Sequence, residues 1–166
     1  MLSSHIRARL QERDILLMTH IVLGYPSFAD SLRLIETMVA AGVDLMELQI
    51  PFSEPIADGP VILKTNQAAL ERGATVAQCF DVARQAAARF PIPFLFMSYY
   101  NILYKHGVER FAADAAAAGI QGAIVPDVPL EEGEDYLAAM AASALDPIFI
   151  FAPNSSDERM RQLAAH

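Results

Sequence analysis

The sequence predicts an α/β protein built on parallel strands, and three observations predict it. Short apolar runs alternate with longer Ala-rich segments that carry charges at helical spacing, the pattern of repeated βα units. Each apolar run leads into a loop containing Pro, Gly, Asn or Asp. An Ala-Gly pair precedes two of the candidate strands, in AAGVD and AAGIQ, a weak repeat of helix, Ala-Gly and strand. The architectures that fit are a parallel barrel or an open parallel sheet.

Taken in chain order, the first strand is the apolar run 15–22, and Ser27 then caps a helix over 28–40. Gly42 suits the left-handed position after that helix, before a strand over 44–50. Pro60 fits the first turn of a helix over 60–72, and a second helix spans 76–90. The third strand, 93–98, is followed by a helix over 108–118 closed by Gly119. A strand over 122–125, a helix over 131–143, a strand over 147–151 and a helix over 157–165 complete the series. No linker or low-complexity tract interrupts it, so residues 1–166 form a single domain.

Composition narrows the function. With 166 residues, 54% hydrophobic and 19% charged, the chain buries a core as one unit, and disorder is excluded as its main state. A net charge of -8 argues against binding a nucleic-acid backbone. The single cysteine, Cys79, cannot close an internal disulfide or build a Cys-rich zinc site, which points to a reducing cytoplasm. The start of the chain, MLSSHIRARLQERD, lacks the apolar centre of a signal peptide, and no apolar stretch approaches the ~20 residues that span a bilayer.

The second strand carries the first chemical signal. Side chains alternate, so Met46, Leu48 and Ile50 face the covering helices while Leu45, Glu47 and Gln49 face the other side. A carboxylate there is costly without a purpose or a partner. Glu47 is therefore a candidate acid or base, the alternative being a Glu paired with a basic residue or exposed at an edge. The following loop, PFSEPIADGPVI, is stiffened by three prolines and carries Glu54 and Asp58. Asp58 reads either as a helix-capping or turn carboxylate or as a second functional acid, and Glu54 as surface charge. Two carboxylates converging on one cleft can divide acid and base roles.

At this stretch the chain resembles the tryptophan synthase α-subunit family, whose signature is close to E-L-G-x-P-F-S-D-P-x-A-D-G-P. Here it reads ELQIPFSEPIADGP. The segments LGYPSFADSLRLIETMVAAGVD, NQAALERGAT, SYYNILYKHGVERF and IVPDVPLEE extend the resemblance over nearly the whole chain. The resemblance implies a (β/α)8 TIM barrel and a retro-aldol cleavage of indole-3-glycerol phosphate to indole and glyceraldehyde 3-phosphate. It implies Glu47 and Asp58 as the catalytic carboxylates. Glu47 would deliver a proton to indole C3 and remove one from the glycerol hydroxyl, and Asp58 would accept a hydrogen bond from the indole N-H. Met97, Tyr99, Ile124 and Ile150 would surround the indole, although ordinary barrel core is the other reading of all four. No metal or cofactor is needed by this chain; pyridoxal phosphate belongs to the partner β subunit of an expected α2β2 assembly. Ser53, Glu54 and Pro55, in the loop between Pro51 and Pro60, would face that β subunit.

Two signature positions depart, with Gln49 in place of Gly and Glu54 in place of Asp. The Gln49 amide is expected either to narrow the pocket or to hydrogen-bond Glu47. His20, where an aromatic pocket residue would be expected, reads as a hydrogen-bonded core histidine. Length is the larger departure: a complete barrel needs about 250 residues, so about five of eight βα units are expected here, the N-terminal two-thirds of a longer protein. Phosphate-binding residues would lie beyond His166, and an open five-stranded sheet would expose its edges. A second reading is a catalytically weak or inactive barrel that binds and activates a β subunit.

Overall fold

The computed structural model describes residues 2–165. Five parallel strands, β1 (Met18–Val22), β2 (Leu45–Gln49), β3 (Phe94–Met97), β4 (Gly122–Ile124) and β5 (Asp146–Ile148), pair in chain order. Helices α2 (Phe28–Ala40), α3 (Pro60–Glu71), α4 (Val76–Arg89), α5 (Tyr100–His106), α6 (Val108–Ala117), α7 (Glu134–Ala142) and α8 (Asp157–Leu163) fill the connections, and α1 (Leu2–Arg9) precedes β1.

Local signals explain most boundaries. Ser27 accepts a hydrogen bond from the Asp30 N–H and caps α2, while Pro60 occupies the first turn of α3. Gly42 and Gly119 follow helices at φ +88° and +84°, and a Cβ on Gly119 would come within 2.7 Å of the Ala87 Cβ. The expected helix over 131–143 divides at Gly133 into a 3-10 turn, Leu130–Glu132, and α7. Two helices lay outside the sequence pattern. α1 presents only Leu2 and Ile6 as its apolar face, and α5 has seven residues and follows the cap residue Tyr99, which makes no side-chain cap bond. The edge strands are shorter than expected, because residues 15–17 and 149–151 have a sheet neighbour on one side at most.

Strand register sorts the side chains into two faces. His20 pairs with Glu47 and Glu47 with Leu95; Val22 pairs with Gln49, Gln49 with Met97, Met97 with Ile124, and Ile124 with Ile148. Partners in register share a face, so these residues form two rows across the inner side of the sheet. The outer side carries Met46, Leu48, Ile50, Phe94, Phe96 and Ala123, packed against Ile35, Phe80, Ala83, Phe111 and Met140 from the helices. Phe80 sits edge-on to Phe96 and Phe111, with ring centroids 5.0 and 5.4 Å apart.

At the N-terminal end of the sheet, Leu2 of α1 covers Leu45 and Leu95, with Ile6 and Leu16 beside them. The buried Asp44 fastens this plug: its carboxylate accepts the Leu17 N–H at 2.9 Å and the Arg9 guanidinium at 3.0 Å, with Arg13 at 3.2 Å. The Leu17 N–H and the two guanidiniums hold the Asp44 carboxyl below the usual range against the opposing effect of burial. On the edges, Met18 and Ile150 remain 46% and 56% exposed, the apolar edge surface expected of an open parallel sheet.

Candidate active site

The inner face opens at its C-terminal end into a cavity of about 340 Å³ bordered by Met18, His20, Glu47, Ala57, Asp58, Ile62, Met97, Ile124, Ile148 and Ile150. Strand alternation places Glu47 there, two residues above the plugged Leu45, and the loop after β2 brings Asp58 to the same opening. Glu47 is half-buried and has no hydrogen-bond partner or Lys/Arg counter-ion among the described residues. β2 lies inside the sheet, so Glu47 is not an edge charge. Burial pushes its carboxyl above the ordinary 4.5, the charge of His20 works against this, and the charge of Asp58 adds to it.

Asp58 is held differently. The cap position of α3 is Gly59, which makes no side-chain cap bond, and the Asp58 carboxylate instead accepts two donors on one oxygen. The Gln49 Nε2 donates to Oδ2 at 2.7 Å and the Tyr99 hydroxyl donates to the same atom at 3.1 Å. The Gln49 amide therefore bonds Asp58, not Glu47, because the loop folds back over β2 above Gln49 while Glu47 sits one row lower. The Ala57 N–H donates to the Tyr99 oxygen at 3.2 Å, which ties the loop to β3. Burial pushes the Tyr99 phenol well above its ordinary value, so it remains a protonated donor.

The loop has a second anchor that sequence reasoning missed. The fully buried Asn66 of α3 accepts the Phe52 N–H on Oδ1 at 2.9 Å and donates from Nδ2 to the Ile62 carbonyl. Phe52 then stacks on Tyr99 at a centroid distance of 5.0 Å. A buried amide between two apolar helix turns was the available signal.

The remaining expected positions separate by depth. Met97 and Ile124 border the cavity and are nearly buried, while Ile150 stands at its exposed rim and is shared with a second depression of about 320 Å³ formed with residues 125–130 and Arg159. Tyr99 lies behind the wall, fully buried, packed with Met97 and Ile124, and its hydroxyl meets the cavity-lining Asp58 and Ala57. Ser53 and Glu54 are exposed on the loop, whereas Pro55 is buried against the chain's own residues. His20 also differs from expectation. It faces the cavity beside Glu47, and its Nε2 is buried with no hydrogen-bond partner, so it is not a satisfied core histidine.

The opening offers an apolar slot with two carboxylates at its mouth, one undersolvated and one held by donors. The sequence is similar to that of known proteins. The family model described as "Tryptophan synthase alpha chain" matches residues 6–166. The tryptophan synthase alpha chain of Syntrophotalea carbinolica is 61% identical over 166 residues, all of this chain and 66% of the relative. That of Desulforapulum autotrophicum is 62% identical over 99% of this chain and 65% of its own length. A crystal structure of tryptophan synthase from M. tuberculosis in an aminoacrylate-bound form superposes with a TM-score of 0.93 at 33% identity, over 99% of this chain and 66% of that one. The chain thus spans about two-thirds of the length of these relatives, and its five βα units are the corresponding part of an α/β TIM barrel. On the family match, the identity along its whole length and the shared fold, this chain belongs to the tryptophan synthase alpha chain family.

Proposed function

We propose that the protein is a carbon-carbon lyase of tryptophan biosynthesis that cleaves indole-3-glycerol phosphate to indole and glyceraldehyde 3-phosphate. The observation that carries this reading is that Glu47 and Asp58, eleven residues apart in sequence, border one apolar cavity of about 340 Å³. Glu47, with a carboxyl raised by burial, is suited to hold a proton and pass it to indole C3. Its carboxylate then takes the proton of the glycerol hydroxyl as the carbon-carbon bond breaks, so that the bonding pair returns to the ring and the hydroxyl carbon becomes the aldehyde. Asp58 accepts the ring N-H and relieves the positive charge that develops on nitrogen in the transition state. Met97, Ile124 and Ile150 supply apolar contact to the ring, and Tyr99 holds Asp58.

No step in this scheme asks for a metal or an organic cofactor. The product indole passes to a β subunit that carries pyridoxal phosphate, in an α2β2 heterotetramer of the cytoplasm, with Ser53, Glu54 and Pro55 in the contact region. Among the described residues no helix is long and apolar enough to cross a membrane. Indole release by the full-length protein, measured with and without the β subunit, tests the reading. Release that Glu47→Gln abolishes supports it, and no release in either condition refutes it.

A further inference from the structure

We propose that Gln49 is a positioning residue for Asp58, occupying one carboxylate oxygen so that the other is presented to an N–H donor in the cavity. The inference rests on the functional reading above. Gln49 is fully buried on the inner face between Val22 and Met97. Its Nε2 donates to Asp58 Oδ2 at 2.7 Å, and the Tyr99 hydroxyl donates to that same oxygen at 3.1 Å. A carboxylate oxygen offers about two acceptor sites, so two donors fill Oδ2. Oδ1 receives no donor among the described residues, and Asp58 borders the cavity, which makes Oδ1 the acceptor that a ligand meets.

The amide is oriented by its partner. Turned over, it would set its oxygen against a carboxylate oxygen. In the orientation observed, Oε1 is buried with no donor. A buried acceptor left unpaired is unfavourable, and an apolar side chain of equal length would avoid it, so the amide is explained by the donor it aims at Asp58. Among the described residues only Gln49 and Tyr99 donate to Asp58 Oδ2, and the start of α3 is capped by Gly59 without a side-chain bond.

The test uses the full-length protein, alone and with its β subunit, comparing wild type, Gln49→Met and Gln49→Gly. Calorimetric binding of indole and of 1-methylindole, which lacks the N–H, is measured on the full-length protein without the β subunit, which itself takes up indole, beside kcat and KM for indole release by the complex. The preference for indole over 1-methylindole is expected to fall about fivefold in Gln49→Met, the equivalent of roughly 1 kcal/mol. kcat falls more than KM rises, because the charge on the ring nitrogen develops in the transition state. Loss of packing alone would weaken both ligands equally, and that result overturns the proposal. If Gln49→Met does not fold, Gln49→Gly provides the same comparison. Wild type that releases no indole, yet shows a preference lost in the variants, refutes the functional reading and supports the positioning. Wild type that releases indole, with preference and kinetics unchanged in the variants, overturns the positioning alone.

Discussion

Replacing Tyr99 by Phe isolates what the loop after β2 owes to a single oxygen. The ring stays in place, fully buried and stacked on Phe52, so no cavity larger than a hydroxyl is created. Two hydrogen bonds are lost: the one donated to Asp58 at 3.1 Å and the one accepted from the Ala57 N–H at 3.2 Å. A bond to a charged group contributes about 1.5–3 kcal/mol and a neutral one about 1 kcal/mol. Asp58 is half exposed, so solvent takes up part of the loss and the net cost is about 2 kcal/mol. Urea unfolding of the full-length protein reads this directly; with a slope near 2 kcal/mol per M, the midpoint falls by about 1 M. Activity should fall further than stability, because Asp58 keeps only the Gln49 donor. An unchanged midpoint together with unchanged kcat would refute the claim that this hydroxyl ties the loop to β3.

Glu47→Gln should remove indole release while raising stability near neutral pH by less than about 1 kcal/mol, a small figure because the group is half exposed. The sign follows from the raised carboxyl. Unfolded chains release this proton near 4.5, folded ones at higher pH, so wild type loses stability as pH rises from 4.5 through the folded value. The variant's advantage should therefore be present at about pH 8 and vanish below about pH 4, as thermal unfolding at the two values would show. His20→Phe removes the charge that opposes this rise, so Glu47 keeps its proton to higher pH and the descending limb of the indole-release profile, where this acid is lost, should move to higher pH. Asp44→Asn behaves in the opposite sense to Glu47→Gln. A carboxyl depressed below 3.8 stabilises the fold above that pH and ceases to as pH falls through the folded value, so the variant should be the less stable at neutral pH and equal to wild type in strong acid. Hydrogen exchange would show the loss concentrated in α1, which Asp44 fastens through Arg9.

The elements legible in the sequence are those with local causes. α2 runs Phe28–Ala40 as expected because Ser27 caps it and Gly42 ends it within reach of its own backbone. α1 was not legible because two apolar residues among polar ones mean little until Leu45 and Leu95 are found beneath them. α5 was not legible because seven residues carry less than two turns of pattern. Fold class and parallel strands follow from the alternation of apolar runs with helical segments, and the inward direction of Glu47 from a period of two residues in β2, read without any partner strand.

The sequence alone thus determined the order of most strands and helices, which face of β2 bears a carboxylate, and which family the chain resembles, since each depends on spacing along one segment. Tertiary structure decided how those segments meet. Register set His20 beside Glu47, and the fold of the loop gave the Gln49 amide to Asp58, where sequence reasoning had offered it to Glu47. Both are contacts between side chains whose distance depends on strand pairing and on a loop anchored by Asn66 and Tyr99, and no local pattern encodes such distances. The physical reason is that periodicity fixes the direction in which a side chain leaves its own backbone, while the partner it finds there is set by how other segments pack against it.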